Sequence, residues 1–163
     1  MEKKKFCNFI FSNPSAKLRN QLLSDLSTYK KVDSGGRALN NIGYYVSDKL
    51  SFLNEYKFTI SFENSEYNGY TTEKIVHPKL VNSIPIYWGN PHVGKEWNKK
   101  SFISLYDFSN MNEMIEYIKE IDNNDELYLK MLEEPHFEND DLPYNLNVNN
   151  LLNFFDKIFN ESI

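Results

Sequence analysis

Short apolar runs alternate with helix-like stretches along most of this sequence, and that alternation restricts the fold more than any other feature. The predicted strands are FCNFIF (6–11), KVDSGG (31–36), KFTISF (57–62), IPIYWG (84–89) and SFISLYDF (101–108). Strands that alternate with helices pair in parallel and are covered by helices on both faces. We therefore predict an α/β fold, a Rossmann-like parallel sheet flanked by helices.

The helices are predicted from apolar residues that recur three or four positions apart. Asn13 is expected to cap the first helix, with Pro14 in its first turn, and Thr71 or Thr72 to cap a later one. Pro78 should kink or end that later helix, because proline lacks an N–H. The remaining predicted helices are 48–56, 110–122, 125–134 and 149–159, with a loop at 136–147.

Length and charge narrow the classes of protein. The 163 residues suit one domain, divided into a core at 1–137 and, at 138–163, a loop and a C-terminal helix packed on it. A net charge of −5 argues against a nucleic-acid surface. The lone Cys7 fits a reducing compartment, and no apolar run is long enough to span a membrane. We expect a cytoplasmic protein.

Polar residues after two predicted strands suggest a ligand site, because ligands of parallel sheets bind beyond the carboxyl ends of the strands. Arg19 and Lys74 each lie near a helix start after a strand, so together they could hold a diphosphate. Glu73 suits sugar hydroxyl groups, Asn64 a sugar or a base edge, and Tyr70 can stack and donate. On spacing alone, solvated surface residues explain the same pattern.

Other sites fit the sequence less well. His77, His92 and His136 share no metal-ligand spacing, so we predict no metal site and no cofactor. The G-x-x-x-x-G-K-[ST] and G-x-S-x-G motifs are missing. No D-x-D pair is present to hold a divalent ion on a nucleotide sugar, which agrees with binding of a diphosphate by cations alone.

The stretch YKFTISFENSEYNGYTTEKIVHPKLVNSIPIYWG (56–89) closely resembles the donor-binding motif of the α-1,3/4-fucosyltransferases. That motif runs F-E-N-S, a variable loop, Y-x-T-E-K, a helix and a P-(I/V) strand. The flanking segments CNFIFSNPSAKLRNQLLSDLSTYKKVDSGG and SFISLYDFSNMNEMIEYIKEIDNNDELYLKMLEEP are similar to its neighbouring elements. The resemblance covers about residues 5–137 and is strongest to bacterial members.

The resemblance implies the C-terminal, GDP-fucose-binding half of a GT-B glycosyltransferase. Arg19 and Lys74 would hold the diphosphate, Glu73 would hold ribose or sugar hydroxyls, and Asn64 and Tyr70 would line the donor pocket. The implied reaction is an inverting transfer of L-fucose from GDP-fucose to a GlcNAc hydroxyl of a LacNAc-type glycan, in α-1,3 linkage. The α-1,4 linkage stays open.

The sequence also departs from the family pattern. The acceptor domain with its general base is absent from this chain, so no catalytic residue is assigned, and we expect the chain alone to be inactive. Glycan contact, and any peripheral contact with the inner membrane, would come from segments absent here. Two alternatives stay open: a non-catalytic domain that binds GDP or a GDP-sugar, and a transferase that uses another GDP-sugar such as GDP-mannose.

Overall fold

The computed structural model describes residues 3–137, 142 and 147–160, and its centre is a five-stranded parallel sheet. The strands are β1 (Lys5–Phe9), β2 (Val32–Ser34), β3 (Tyr56–Phe62), β4 (Ile84–Trp88) and β5 (Ile103–Ser104). Their order in the sheet is β2-β1-β3-β4-β5, and every neighbouring pair is parallel. The predicted Rossmann-like α/β class is confirmed.

Alternation along the strands gives the sheet one strongly apolar face. Phe58, Ile60 and Phe62 of β3 share this face with Cys7 and Phe9 of β1, and all five are buried. Side chains two residues apart on a strand point to the same side, so the intervening positions face the other layer. There a small polar cluster is buried: the Asn8 amide donates to the Thr59 hydroxyl at 2.8 Å.

The described residues form six α-helices beside the sheet: α1 (Lys17–Ser27), α2 (Lys49–Leu53), α3 (Glu73–Leu80), α4 (Met111–Asn123), α5 (Asp125–Glu133) and α6 (Val148–Asn160). Leucines of α1, isoleucines of α4 and Tyr128 of α5 pack on the apolar face. The helices α2 and α3 lie together on the opposite face, where Ile75 packs with Tyr87 and Trp97. The result is three layers, with helices on both sides of the sheet.

The first helix begins later than predicted. Its first residue is Lys17, and Ala16 precedes it without a side-chain cap. Asn13 instead accepts a hydrogen bond from the Ser15 N–H at 2.9 Å. The predictions that Asn13 caps this helix and that Pro14 lies in its first turn are therefore wrong, because the asparagine closes a local turn before the helix starts.

The ends of two other elements follow from local chemistry. Thr72 caps α3 by accepting from the Lys74 N–H, and the helix ends at Leu80, two residues after Pro78. The last strand is shorter than predicted, covering only Ile103–Ser104. Its second residue, Ser104, accepts from the Tyr106 N–H and starts a 3-10 turn, which takes the chain out of the sheet.

The C-terminal helix α6 has an apolar side without any buried residue. Its exposed residues include Leu151, Leu152, Phe154, Phe155, Ile158 and Phe159. The packing of this helix on the domain therefore stays a prediction, and most of the predicted loop at 136–147 lies outside the described residues. None of the described helices is long and apolar enough to cross a bilayer.

Candidate functional site

The strand order places one crevice in the sheet. From β1 the chain moves outward to β2 and then returns to β3 on the other side of β1. Open parallel sheets bind ligands beyond the carboxyl ends of the strands at such a reversal. Arg19 belongs to the helix that follows β1, and Lys74 to the helix that follows β3, so the topology brings both to this edge.

Arg19 is a buried cation held by neutral groups. It is 1% exposed, and Nη1 donates to Asn64 Oδ1 at 3.1 Å and to the Phe62 carbonyl at 3.4 Å. Nη2 donates to the Asn13 carbonyl at 3.1 Å, and the guanidinium lies 3.6 Å from the centre of the Phe11 ring. Burial lowers the pKa of Arg19 to about 10. The Glu63 carboxylate acts in the opposite direction, and the side chain stays charged at neutral pH although it forms no ion pair with a described residue.

Lys74 is held by a buried carboxylate that the sequence did not single out. Glu63 is fully buried and accepts from the N–H and the hydroxyl of Thr72, at 2.9 and 2.8 Å. The Lys74 ammonium lies 2.7 Å from Glu63 Oε2 and 3.1 Å from the Thr72 hydroxyl. One carboxylate thus ties the end of β3 to the start of α3 and fixes the direction of the lysine.

The loop between Glu63 and Thr72 is held in place by hydrogen bonds to Asn90, which is fully buried. Its Oδ1 accepts from the Gly69 N–H at 3.0 Å, and its Nδ2 donates to the Thr71 hydroxyl at 2.9 Å. The Tyr87 hydroxyl in turn accepts from the Asn90 N–H at 3.1 Å and donates to the Tyr70 carbonyl at 3.4 Å. The loop that carries the predicted donor contacts is therefore fixed by buried hydrogen bonds.

Gly89 allows the strands to approach closely under this loop. Its φ is +148°, a conformation that residues with a Cβ rarely adopt. A Cβ here would also overlap the Cβ and Cγ of Glu63. Glycine at this position therefore gives Glu63 the space in which it holds Lys74.

The predicted site residues fall into two groups. Arg19, Asn64 and Lys74 are joined through segment 62–64, because Arg19 bonds to Phe62 and Asn64, and Lys74 bonds to Glu63. Tyr70, in the same loop, is 37% exposed, and Glu73, the first residue of α3, is exposed as well.

The charges around Glu73 affect its acidity. Partial burial acts to raise the pKa of the Glu73 carboxyl. Its own backbone N–H and the ammonium groups of Lys74 and Lys49 outweigh that effect, and the pKa is lowered. Glu73 is thus an ionised acceptor at neutral pH, as binding of sugar hydroxyls requires.

Two cavities lie away from the carboxyl edge of the sheet. One, of about 810 Å³, adjoins Lys3, Lys57 and Leu129, and another, of about 530 Å³, adjoins Lys100, Phe108 and Met131. Neither is lined by a predicted donor-binding residue. Among the residues that the structure describes, no three His, Cys, Asp or Glu side chains cluster as metal ligands do. Binding without a metal stays a prediction.

Sequence reasoning missed the two buried polar residues that shape the loop, Glu63 and Asn90. Each directly follows a buried strand or its terminal glycine. That position was the available signal, because a charged or amide group next to a buried strand needs a specific partner. The periodicity that identifies strands carries no information about which partner it is.

Comparisons with known proteins identify the family of this chain. The family described as glycosyltransferase family 10 (fucosyltransferase) C-term matches residues 1–138. The chain is 42% identical over 160 residues to an alpha-(1,3)-fucosyltransferase of Helicobacter pylori, covering 96% of this chain and 34% of that protein. It is 35% identical over 127 residues to GDP-fucose protein O-fucosyltransferase 3 of Xenopus tropicalis, covering 71% of this chain and 27% of that protein.

Solved structures match the fold closely. A crystal structure of an alpha1,3-fucosyltransferase superposes with a TM-score of 0.92 at 40% identity, covering 99% of this chain and 47% of that one. A crystal structure of an alpha1,3-fucosyltransferase with GDP-fucose gives a TM-score of 0.90, also at 40% identity, and covers 99% of this chain and 49% of that one. The chain thus spans about a third of the Helicobacter protein and about half of the solved chains, and it belongs to glycosyltransferase family 10, the fucosyltransferases, as a C-terminal domain of that family.

Proposed function

We propose that this chain is the donor-binding half of an inverting α-1,3-fucosyltransferase and that it binds GDP-fucose at the carboxyl ends of β1 and β3. The observation that supports this most is the convergence of Arg19 and Lys74 on segment 62–64. These two cations come from helices on either side of the strand-order reversal, where ligands of such sheets bind.

The chemistry of each residue fits a part of the donor. Arg19 offers a planar fork and Lys74 a compact charge, so both suit the oxygens of a diphosphate without a metal ion. Glu73 would accept hydrogen bonds from ribose or sugar hydroxyls. Asn64 and Tyr70 would line the pocket, and the fixed loop would hold them in place before the donor arrives.

The proposed reaction places negative charge on the leaving group. An acceptor hydroxyl, here the GlcNAc hydroxyl of a LacNAc-type glycan, forms a bond to the fucose anomeric carbon while the bond to the diphosphate oxygen breaks. GDP leaves with that electron pair, and the acceptor proton passes to a base outside this chain. Arg19 and Lys74 would stabilise the departing charge, and loss of one such donor typically costs about 2.7–4 kcal/mol of barrier.

Titration calorimetry with GDP and GDP-fucose tests donor binding. We expect both to bind, and Lys74→Ala to weaken GDP binding by about tenfold or more. Lys100→Ala, which removes an exposed lysine far from the crevice, should bind GDP as the wild type does. Thermal unfolding of each variant controls for loss of fold. The absence of heat at millimolar GDP would contradict the proposal.

A second experiment separates a transferase domain from a non-catalytic GDP-binding domain. These residues alone should not transfer fucose at a normal rate, since they span only about a third of the Helicobacter relative and match the C-terminal part of the family. A chimera that joins the N-terminal part of the Helicobacter relative to this chain should gain activity. Competition between GDP-fucose and GDP-mannose then identifies the donor, and we expect GDP-fucose to bind more tightly.

The compartment follows from the same proposal. We propose that the domain works in the cytoplasm, where the lone Cys7 stays reduced. Any peripheral contact with the inner membrane would come from further segments of a longer protein.

A further inference from the structure

A third cation lies at the same edge of the sheet and has not been given a role. Lys49 is the first residue of α2, which is packed beside α3. Its side chain is only partly exposed. It forms no hydrogen bond or ion pair within the described part of the chain, unlike Lys74, which is paired with Glu63.

Lys49 and Lys74 line one small cleft, of about 10 Å³, between the sheet and the helices α2 and α3. Ile10 and Phe11, which follow β1, form another wall of it, and Phe11 is the ring that supports the Arg19 guanidinium. The cleft has room for about one water molecule. Lys49 and Lys74 therefore border this cleft directly, and Phe11 connects its wall to the buried Arg19 guanidinium.

The electrostatic surroundings of Lys49 are unfavourable for its charge. Burial lowers the pKa of Lys49, and the Lys74 ammonium lowers it further, against the opposing effect of the carboxylates of Glu73 and Glu63. Glu63 is already bound by Thr72 and Lys74. A partly buried ammonium beside another cation is costly unless an anion compensates it.

We propose that Lys49 is a third diphosphate-binding residue, which contacts the anionic part of the nucleotide from the α2 side of the crevice while Arg19 and Lys74 hold it from the other elements. This inference rests on the proposed function, because it assigns Lys49 to the same donor site. Three cations against two carboxylates leave this edge with an excess of positive charge, and a nucleoside diphosphate is the class of ligand that this excess fits.

The test compares Lys49→Gln with the wild type in titrations of GDP, inorganic pyrophosphate and guanosine. We expect GDP and pyrophosphate to bind about 10- to 100-fold more weakly to the variant, as for loss of a hydrogen bond to a charged group. Guanosine, which carries no phosphate, should bind both proteins equally. Lys49→Arg should retain most of the affinity for GDP, since it keeps the charge.

Two controls keep the result interpretable. Lys100→Gln makes the same change of charge far from the crevice and should leave GDP affinity within about twofold of the wild type. Asp48, which caps α2 through the Ser51 N–H at 3.1 Å, is untouched in both Lys49 variants. Thermal unfolding should therefore show a folded protein in each case.

Each outcome decides the inference. Unchanged affinity of Lys49→Gln for GDP and pyrophosphate overturns it and leaves GDP binding by the wild type intact. A wild type that binds pyrophosphate but not GDP contradicts the proposed function, and the role of Lys49 is then decided by the pyrophosphate titration. A wild type that binds neither contradicts both.

Discussion

Two buried cations lie at opposite ends of the sheet, and neither forms an ion pair with a described residue. Arg19, at the carboxyl end, is held by carbonyl and amide oxygens. Lys79, near the end of α3 and so at the amino end, is 4% exposed and donates to the carbonyl and the hydroxyl of Ser101. The rings of Trp97 and Phe102 lie 5.5 and 5.6 Å from its nitrogen.

The two buried cations differ in how readily they lose their proton. Burial lowers the pKa of Lys79 to about 7, so this side chain can lose its proton and remain enclosed. Arg19 remains protonated at neutral pH, because a guanidinium gives up its proton far less readily. The enclosed Lys79 can thus become neutral, whereas the enclosed Arg19 keeps its charge among carbonyl and amide oxygens.

The largest expected effect concerns the pH dependence of folding. The unfolded chain keeps the Lys79 proton up to about pH 10.4, while the folded protein releases it near pH 7. The unfolded state therefore binds more protons between these values, and the free energy of unfolding should rise with pH by up to about 4 kcal/mol. Urea unfolding of the wild type and Lys79→Met across this range isolates the contribution. If the free energies of unfolding of the two proteins changed with pH in parallel, the lowered pKa of Lys79 would be contradicted.

The second prediction concerns the cation at the opposite end. Arg19→Met keeps an unbranched side chain to pack on Phe11 but removes the charge and the fork of donors. We expect GDP affinity to fall about 100-fold, measured by calorimetry. Arg19→Lys keeps the charge but lacks the planar fork of donors, so its affinity for GDP should lie between those of the wild type and Arg19→Met. If Arg19→Met bound GDP within threefold of the wild type, the charge at this end would have no role in binding.

The third prediction tests what compensates Lys74. In Glu63→Gln the side chain can still accept from Thr72, but it no longer provides a negative charge for the ammonium of Lys74. We expect the free energy of unfolding to fall by about 2 kcal/mol. The exposed Glu66, which accepts from the Tyr106 hydroxyl at 3.0 Å, supplies the matched control, since Glu66→Gln should cost under about 0.5 kcal/mol. Equal losses in the two variants would refute the assignment.

The smallest effect should come from a cation that is paired but close to solvent. Lys30 pairs with Asp122 near the amino end of the sheet, and its side chain is 46% exposed. Lys57 remains within 3.5 Å of the same carboxylate. Lys30→Met should therefore change the free energy of unfolding by no more than about 0.5 kcal/mol in urea titrations. A loss above about 2 kcal/mol would show that exposure does not weaken such pairs here.

The fold was predictable from the sequence because its signals are local. Short apolar runs and turn residues identified the five strands of the described sheet, and only β3 showed clear alternation. A cap of α3 at Thr71 or Thr72 was expected, and Thr72 provides it; an end or kink near Pro78 was expected, and the helix ends two residues later. The late start of α1 was missed because Asn13 can close a turn as readily as it can cap a helix. The truncation of β5 was missed because Ser104 gives the backbone a competing hydrogen bond.

The site was only partly predictable, because the residues that form it are far apart along the chain. Arg19 and Asn64 are 45 positions apart, yet they share a hydrogen bond. Arg19 follows β1 and Asn64 follows β3 in the sequence, and this placed both residues at the carboxyl edge of the sheet. The resemblance to the fucosyltransferases supplied their roles. The inward direction of Glu63 and the support from Asn90 depend on packing between β3 and β4, which no pattern within a single strand specifies.

The closeness of Gly89 to Glu63 bears on attempts to redesign this domain. Any residue larger than glycine at position 89 would overlap Glu63 and push its carboxylate away from Lys74. This would happen even though position 89 lies beneath the loop and not in it. Libraries that aim at a different sugar nucleotide should hold that position constant and vary the outward tip at residues 65–68, where side chains face solvent. Substitution at position 89 should thus be tolerated less well than substitution at residues 65–68, because position 89 contacts the buried Glu63.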